Sequence, residues 1–148
     1  MILERYELKA GRNLTTFEFL SEGTKGQIQK VVQFEPMNIE NLYNLAFGDR
    51  NLETGRIDDK VISDNGDIEK VLATVVAAVY AFVDKYPDVW VYATGSTASR
   101  TRLYRMGINK YFDIVAKDFD IMAEYQNEWE WYQFGGDYQA FAVRRKKH

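Results

Sequence analysis

Residues 67 to 94 restrict the fold more than any other part of this 148-residue chain. Ile68, Val71, Leu72, Val75, Val76, Val79, Phe82, Val83 and Tyr86 follow the three-four spacing of a helix with a wide apolar face. This predicts a long helix from Asp67 to Tyr86, with Asp64, Asp67 and Glu69 as the acidic first turn that a helix dipole favours. Pro87 stops it, because the residue before a proline is steered out of the helical region. After the stop comes Val89-Trp-Val-Tyr-Ala-Thr94, apolar at successive positions. Such a strand reads as interior to a sheet and covered by helices on both faces.

Strands dominate the rest. Short strand character at Tyr6 to Leu8 precedes a turn at Gly11-Arg-Asn13, then a strand from Thr15 to Leu20. Glu22-Gly-Thr-Lys-Gly26 forms a hairpin loop. In the strand that follows, Ile28, Lys30, Val32 and Phe34 face one way, and Gln27, Gln29, Val31, Gln33 and Glu35 the other. Pro36 closes it. Leu42 to Phe47 is assigned as a strand whose partner lies around Ile57 to Ile62. A short arginine-bearing helix spans Thr97 to Arg105 and ends near Met106-Gly107. The pattern then returns to strands at Phe112 to Val115, Phe119 to Tyr125 and Glu128 to Phe134. Gly135-Gly-Asp137 is expected to turn the last of these into a return strand, Tyr138 to Val143. The predicted fold is one α+β domain over residues 1–148: a mixed, mostly antiparallel sheet with one long and one short helix packed on it.

Composition removes several functions. There is no cysteine, which excludes disulfides and thiolate chemistry, and the only histidine is His148 at the end of the sequence. Imidazole catalysis and His-ligated metals are therefore not expected, and no metal site is assigned. Asp58, Asp59, Asp64 and Asp67 place four carboxylates in ten residues, but they match no EF-hand spacing and read as a solvated loop with helix capping. The net charge of −3 creates no field that recruits nucleic acid or anionic lipid. The basic run Arg144 to Lys147 reads as a solvated end. No stretch reaches the length of a membrane span and no signal peptide is evident, so a cytoplasmic protein is the expectation.

Chemistry concentrates at Ala93-Thr-Gly-Ser-Thr-Ala-Ser-Arg-Thr-Arg-Leu-Tyr-Arg105. A buried strand runs through Gly95, Ser96 and Thr97 into a helix that carries Arg100, Arg102 and Arg105 and no acid. Compact neutral residues leave the amides of a helix N-terminus open to an anion, and Arg100 lies on the same side as Thr97 and Tyr104. Ligand-binding residues are thus expected among Gly95, Ser96, Thr97, Arg100, Arg102 and Arg105. The competing reading is structural: Ser96 or Thr97 is an ordinary N-cap, with the arginines laid over Glu124, Glu128 and Glu130. Trp129, Trp131, Tyr132, Phe134 and Tyr138 form an aromatic belt that reads first as core and second as an interface, as in a homodimer.

Two resemblances follow from these residues. From Leu42 to Val143 the order of strand hairpin, long helix, strand, short helix and closing strands resembles the second part of the GNAT acyltransferase fold. Leu103-Tyr104 followed by Gly107-Ile108 look like a shortened form of that family's helix ending. The resemblance implies acetyl-CoA as cofactor and Tyr104 as general acid. Where the family cradles the pyrophosphate, this chain has Asp64-Asn-Gly66-Asp67, whose charges oppose it. The whole chain is also similar to an uncharacterised group of small bacterial proteins carrying Ala-Thr-Gly-Ser-x-x-Ser-Arg-x-Arg-Leu-Tyr-Arg. Three functions stay open: a non-enzymatic or degenerate acyltransferase-like domain with no cofactor, binding an anionic small molecule or acidic protein segment at 95–105; an active N-acyltransferase; or a homodimeric interaction module.

Overall fold

Alternating side chains decide the first half of the molecule. The computed structural model describes residues 4–58, 64–94 and 98–147, with 98–100 described by backbone alone. A short β1 (Lys9–Ala10) pairs with β2 (Thr16–Gly23), β2 with β3 (Gly26–Pro36), and β3 with β4 (Leu42–Arg50), all antiparallel. Phe17, Val32 and Phe47 lie in one cross-strand row, and Phe34 sits opposite Leu45. All five are buried on the same face, so the period-two pattern sets the register. β5 (Ile57–Asp58) adds to β4, and the rest of the partner strand expected there lies outside the described residues.

The long helix is α1 (Ile68–Lys85), which lays Val71, Leu72, Val75, Ala78, Phe82 and Val83 onto this buried face. Phe82 and Phe34 stack with centroids 4.1 Å apart, the tightest ring pair in the core. β6 (Trp90–Ala93) follows and pairs parallel with β4 through Leu42–Asn44 and Trp90–Tyr92. The chain continues through α2 (Ala98–Lys110), α3 (Phe112–Asp118), β7 (Phe119–Tyr125), β8 (Glu128–Trp131) and β9 (Ala140–Arg145). Among the described residues the sheet has nine strands in the order β1-β2-β3-β4-β6-β9-β7-β8, with β5 on β4. It is an α+β fold with a mostly antiparallel open sheet. No described helix is long and apolar enough to cross a membrane.

Four sequence expectations are corrected. Residues 112–115 are helical, so three helices rather than two accompany the sheet. Leu103/Tyr104, Gly107/Ile108, Tyr111/Phe112 and Val115 form a three-four series that a short window breaks up. Nor does α2 stop at Gly107: a Cβ there would lie 3.2 Å from Leu72 Cδ2, so the glycine serves the close approach of α1. The glycine pair at 135–136 does not make a hairpin. β8 returns on β7 through Gln126-Asn127, both at positive φ (51° and 67°), as a two-residue twisted turn requires. β9 instead inserts between β6 and β7. Finally, β6 is covered on one face only. Val91 and Ala93 face the helices, while Trp90 and Tyr92 face the side that carries none.

Candidate functional site

α2 begins directly beyond β6, and its first turn holds no acidic residue. Of the expected ligand-binding residues, Gly95, Ser96 and Thr97 lie outside the described residues, and the side chain of Arg100 does too. Arg102 is exposed. Arg105 is engaged by the Asp137 carboxylate, supplied by the β8–β9 connection. Arg105 thus leans on this connection rather than on Glu124, Glu128 or Glu130. Leu103 and Tyr104 turn the other way and are buried. At its far end α2 is tied to the start of α1: Lys110 pairs with Glu69 at 2.9 Å, and the Tyr111 hydroxyl donates to the Glu69 carbonyl at 3.1 Å.

The inward face of α2 borders a cavity of about 90 Å3. Leu72, Val75 and Val79 of α1, Tyr104 and Gly107 of α2, and Leu45, Val91, Ala93 and Phe141 of the sheet are in its wall, which is almost wholly apolar. Its position follows from topology. The β4/β6 pairing ends at Asn44 and Tyr92, and Leu45 and Ala93 are the next residues along each strand. One edge of the cavity therefore lies just past the parallel pairing, and Val143 and Phe119 carry its wall back beneath the sheet toward the start of β6. A cavity with no polar lining offers water nothing to bond, so it suits an apolar group.

A second polar cluster lies at the start of α1, and nothing in the order of residues pointed to it. Asp67 does not cap the helix with its side chain. Its carboxylate accepts hydrogen bonds from the Tyr6 and Ser21 hydroxyls, each at 2.5 Å. Asn65 joins in: Nδ2 donates to Ser21 Oγ at 3.1 Å and to the Gly26 carbonyl at 2.9 Å, and Oδ1 accepts from the Lys25 amide at 2.6 Å. Ser21 and Asn65 are both fully enclosed. Burial raises the ionisation of the Tyr6 phenol above its ordinary value, and the Asp67 hydrogen bond adds to this. Next to this cluster, Lys30 is buried on the helix side of β3 and pairs with Asp49 at 2.5 Å. The start of α1 is thereby fastened to the β2–β3 hairpin, which makes this a structural latch.

The carboxylates counted in the sequence do not converge. Asp64 accepts from the Gly66 amide at 3.0 Å, Asp67 is committed to Tyr6 and Ser21, and Asp59 lies outside the described residues. Among the described residues no group of acidic or histidine side chains could hold a metal ion. The aromatic belt splits. Tyr132 and Tyr138 join the core cluster, whereas Trp129, Trp131 and Phe134 are exposed. The basic end is less solvated than its charge implies, since Arg144 pairs with Asp120, Arg145 with Asp84 and Lys147 with Asp88.

Residues 2–146 match a family of unknown function, DUF6934. The chain belongs to that family. Neither a curated protein nor a solved structure matches it. Membership therefore brings no activity with it, and function has to be read from the cavity and the helix beside it.

Proposed function

We propose that this domain binds a small anionic molecule with a short apolar body, its charge at the 95–105 segment and its body in the cavity beneath Tyr104. The observation that carries this reading is the place of the cavity. Ala93 is in its wall and is two residues from Gly95, so the two cannot be more than about 8 Å apart along the chain. Tyr104, also in the wall, follows Arg100 by one helical turn. An anion recognised by Arg100 and the start of α2 thus has an apolar compartment within reach. The cavity is smaller than the roughly 150 Å3 that takes a benzene ring, so a few methylene groups fill it. Arg105, already held by Asp137, has the lesser part in recognition.

An acyltransferase is the second reading, favoured by Tyr104 in the cavity wall and by the order of hairpin, α1, β6, α2 and closing strands. A short acyl group would occupy the cavity and Tyr104 would donate the proton. The latch works against it, because Asp67 and Asn65 hold the start of α1 against the hairpin where a pyrophosphate would have to lie.

Thermal melting in the presence of sodium phosphate, sodium butanoate or acetyl-CoA tests both. A ligand that binds only the folded state must raise the melting temperature. Butanoate should stabilise more than phosphate. Ala93→Leu should cancel the difference by filling the cavity, and Arg100→Ala should cancel the response to both anions. No stabilisation by any of the three refutes the proposal. Stabilisation by acetyl-CoA, with amine acetylation that Tyr104→Phe abolishes, establishes the enzyme.

A further inference from the structure

The helix-free face of the sheet holds a second feature, independent of the cavity on the other side. All three tryptophans of the chain are on it: Trp90 on β6, and Trp129 and Trp131 on β8. Their strands are three places apart in the sheet, with β9 and β7 between, and β9 contributes small residues to this face at Ala140 and Ala142. Strand spacing alone separates β6 from β8 by about 14 Å. Yet the rings of Tyr92 and Trp129 come within 5.8 Å of each other at 56°. Large side chains from the two outer strands therefore lean inward over the alanines. The result is a groove of about 400 Å3 walled by Trp90, Tyr92, Trp129, Met37 and Met122.

Glu124 lies in the lining of this groove. No cationic side chain among the described residues pairs with it. The other charges on this part of the face cancel, since Arg144 is held by Asp120 at 3.2 Å. Arg144 also rests over the Trp90 ring, 4.6 Å from its centroid, so the face already stabilises a cation on an aromatic surface. Indole and phenol faces carry negative quadrupole potential, and a carboxylate beside them adds a full charge of the same sign. Tyr92 stays a neutral phenol, because burial and the nearby Glu124 charge both raise its ionisation. Such a groove repels phosphates and carboxylates. It attracts a weakly hydrated positive group with an apolar skin.

We infer that the helix-free groove is a binding site for a small organic cation, of the quaternary or methylated ammonium class, held by Trp90, Tyr92 and Trp129 with Glu124 as counter-charge. The methyl groups meet the rings and methionines, and Glu124 balances the charge without requiring a hydrogen bond from it. A second copy of the chain is the poorer occupant, because the outer strand β8 presents Glu128 and Glu130 along the sheet edge.

The test uses the intrinsic fluorescence of the full chain, which comes from tryptophans on this one face. Choline is titrated against 3,3-dimethylbutan-1-ol, its uncharged analogue of the same shape. The expected result is a saturable change with choline and an affinity at least about tenfold weaker for the alcohol, as loss of one cation–π contact implies. Glu124→Gln should weaken choline by a similar factor while leaving the alcohol unaffected. Trp129→Ala, at a position 41 % exposed, should abolish the choline response without unfolding the chain. Equal affinity for the two probes, no saturation, or an unchanged affinity in Glu124→Gln overturns the proposal. So does sedimentation as a dimer that Trp131→Ala converts to a monomer, since the face is then an interface.

Discussion

Replacing Asp67 separates two accounts of the start of α1. If Asp67 served as an ordinary helix cap or dipole partner, Asp67→Ser would cost almost nothing, because serine is an equally good N-cap. The structure predicts otherwise. The carboxylate accepts from two hydroxyls, and the Ser21 oxygen is fully enclosed. Hydrogen bonds to a charged group contribute about 1.5–3 kcal/mol each, and a buried donor left without its partner costs a similar amount. Tyr6 keeps part of its bonding, since its hydroxyl also contacts the Glu22 carbonyl at 3.0 Å, so its share is set at about 1 kcal/mol. Ser21 keeps only the amide that Asn65 donates to it, which does not accept its proton. Its share is about 2–3 kcal/mol. Asp67→Ala and Asp67→Ser should therefore both lose about 3–4 kcal/mol, or roughly 6–15 °C in melting temperature for a chain of this length. Urea unfolding monitored by circular dichroism measures this. Tyr6→Phe added to Asp67→Ala should cost about 1 kcal/mol less than Tyr6→Phe alone. An Asp67→Ser variant within about 0.5 kcal/mol of wild type, or additive losses with Tyr6→Phe, would refute the latch.

High pH should unfold the chain early. Tyr6, Tyr80, Tyr92, Tyr111, Tyr132 and Tyr138 all ionise above the ordinary phenol value, with burial the first cause in each. The folded state then holds more protons than the unfolded state once the pH passes about 10, so stability is intact below that value and falls above it. Urea midpoints measured from about pH 8 to 11.5 should drop only in the upper part of the range, and a flat profile would contradict the assignment. At the β7–β8 turn, Gln126 holds a left-handed conformation that few side chains adopt freely. Gln126→Asn with Asn127→Gly should raise stability by about 1 kcal/mol in the same assay, and a loss would mean that the turn is held by contacts of the Gln126 side chain.

Local pattern was enough wherever burial follows a fixed period. The helix-side faces of β3 and α1 could be read from spacing, because each buries a continuous stripe against the other layer, although Val31 on the opposite face of β3 is buried as well. β7 was legible at its stated bounds for the same reason. Pattern failed where one local signal had two uses. Gly107 reads as a helix end but is a contact point for Leu72, and Gly135-Gly136 reads as a hairpin turn but belongs to a connection that carries β9 to another strand. The apolar run of β6 reads as doubly buried, although half of it forms the wall of an open groove.

The candidate sites divide in the same way. An acid-free helix with three arginines after an apolar strand is visible in the order of residues alone, and so is the absence of any thiol. The cavity, the latch and the aromatic groove are not, because each joins residues from strands distant in sequence. Asp67 meets Ser21 across 46 positions, and Tyr92 meets Trp129 across the two strands that lie between them. Periodicity in a chain reports which side of an element is buried and carries no record of strand order. Strand order was decided by tertiary packing, which placed β9 between β6 and β7 and so brought all three tryptophans to one face.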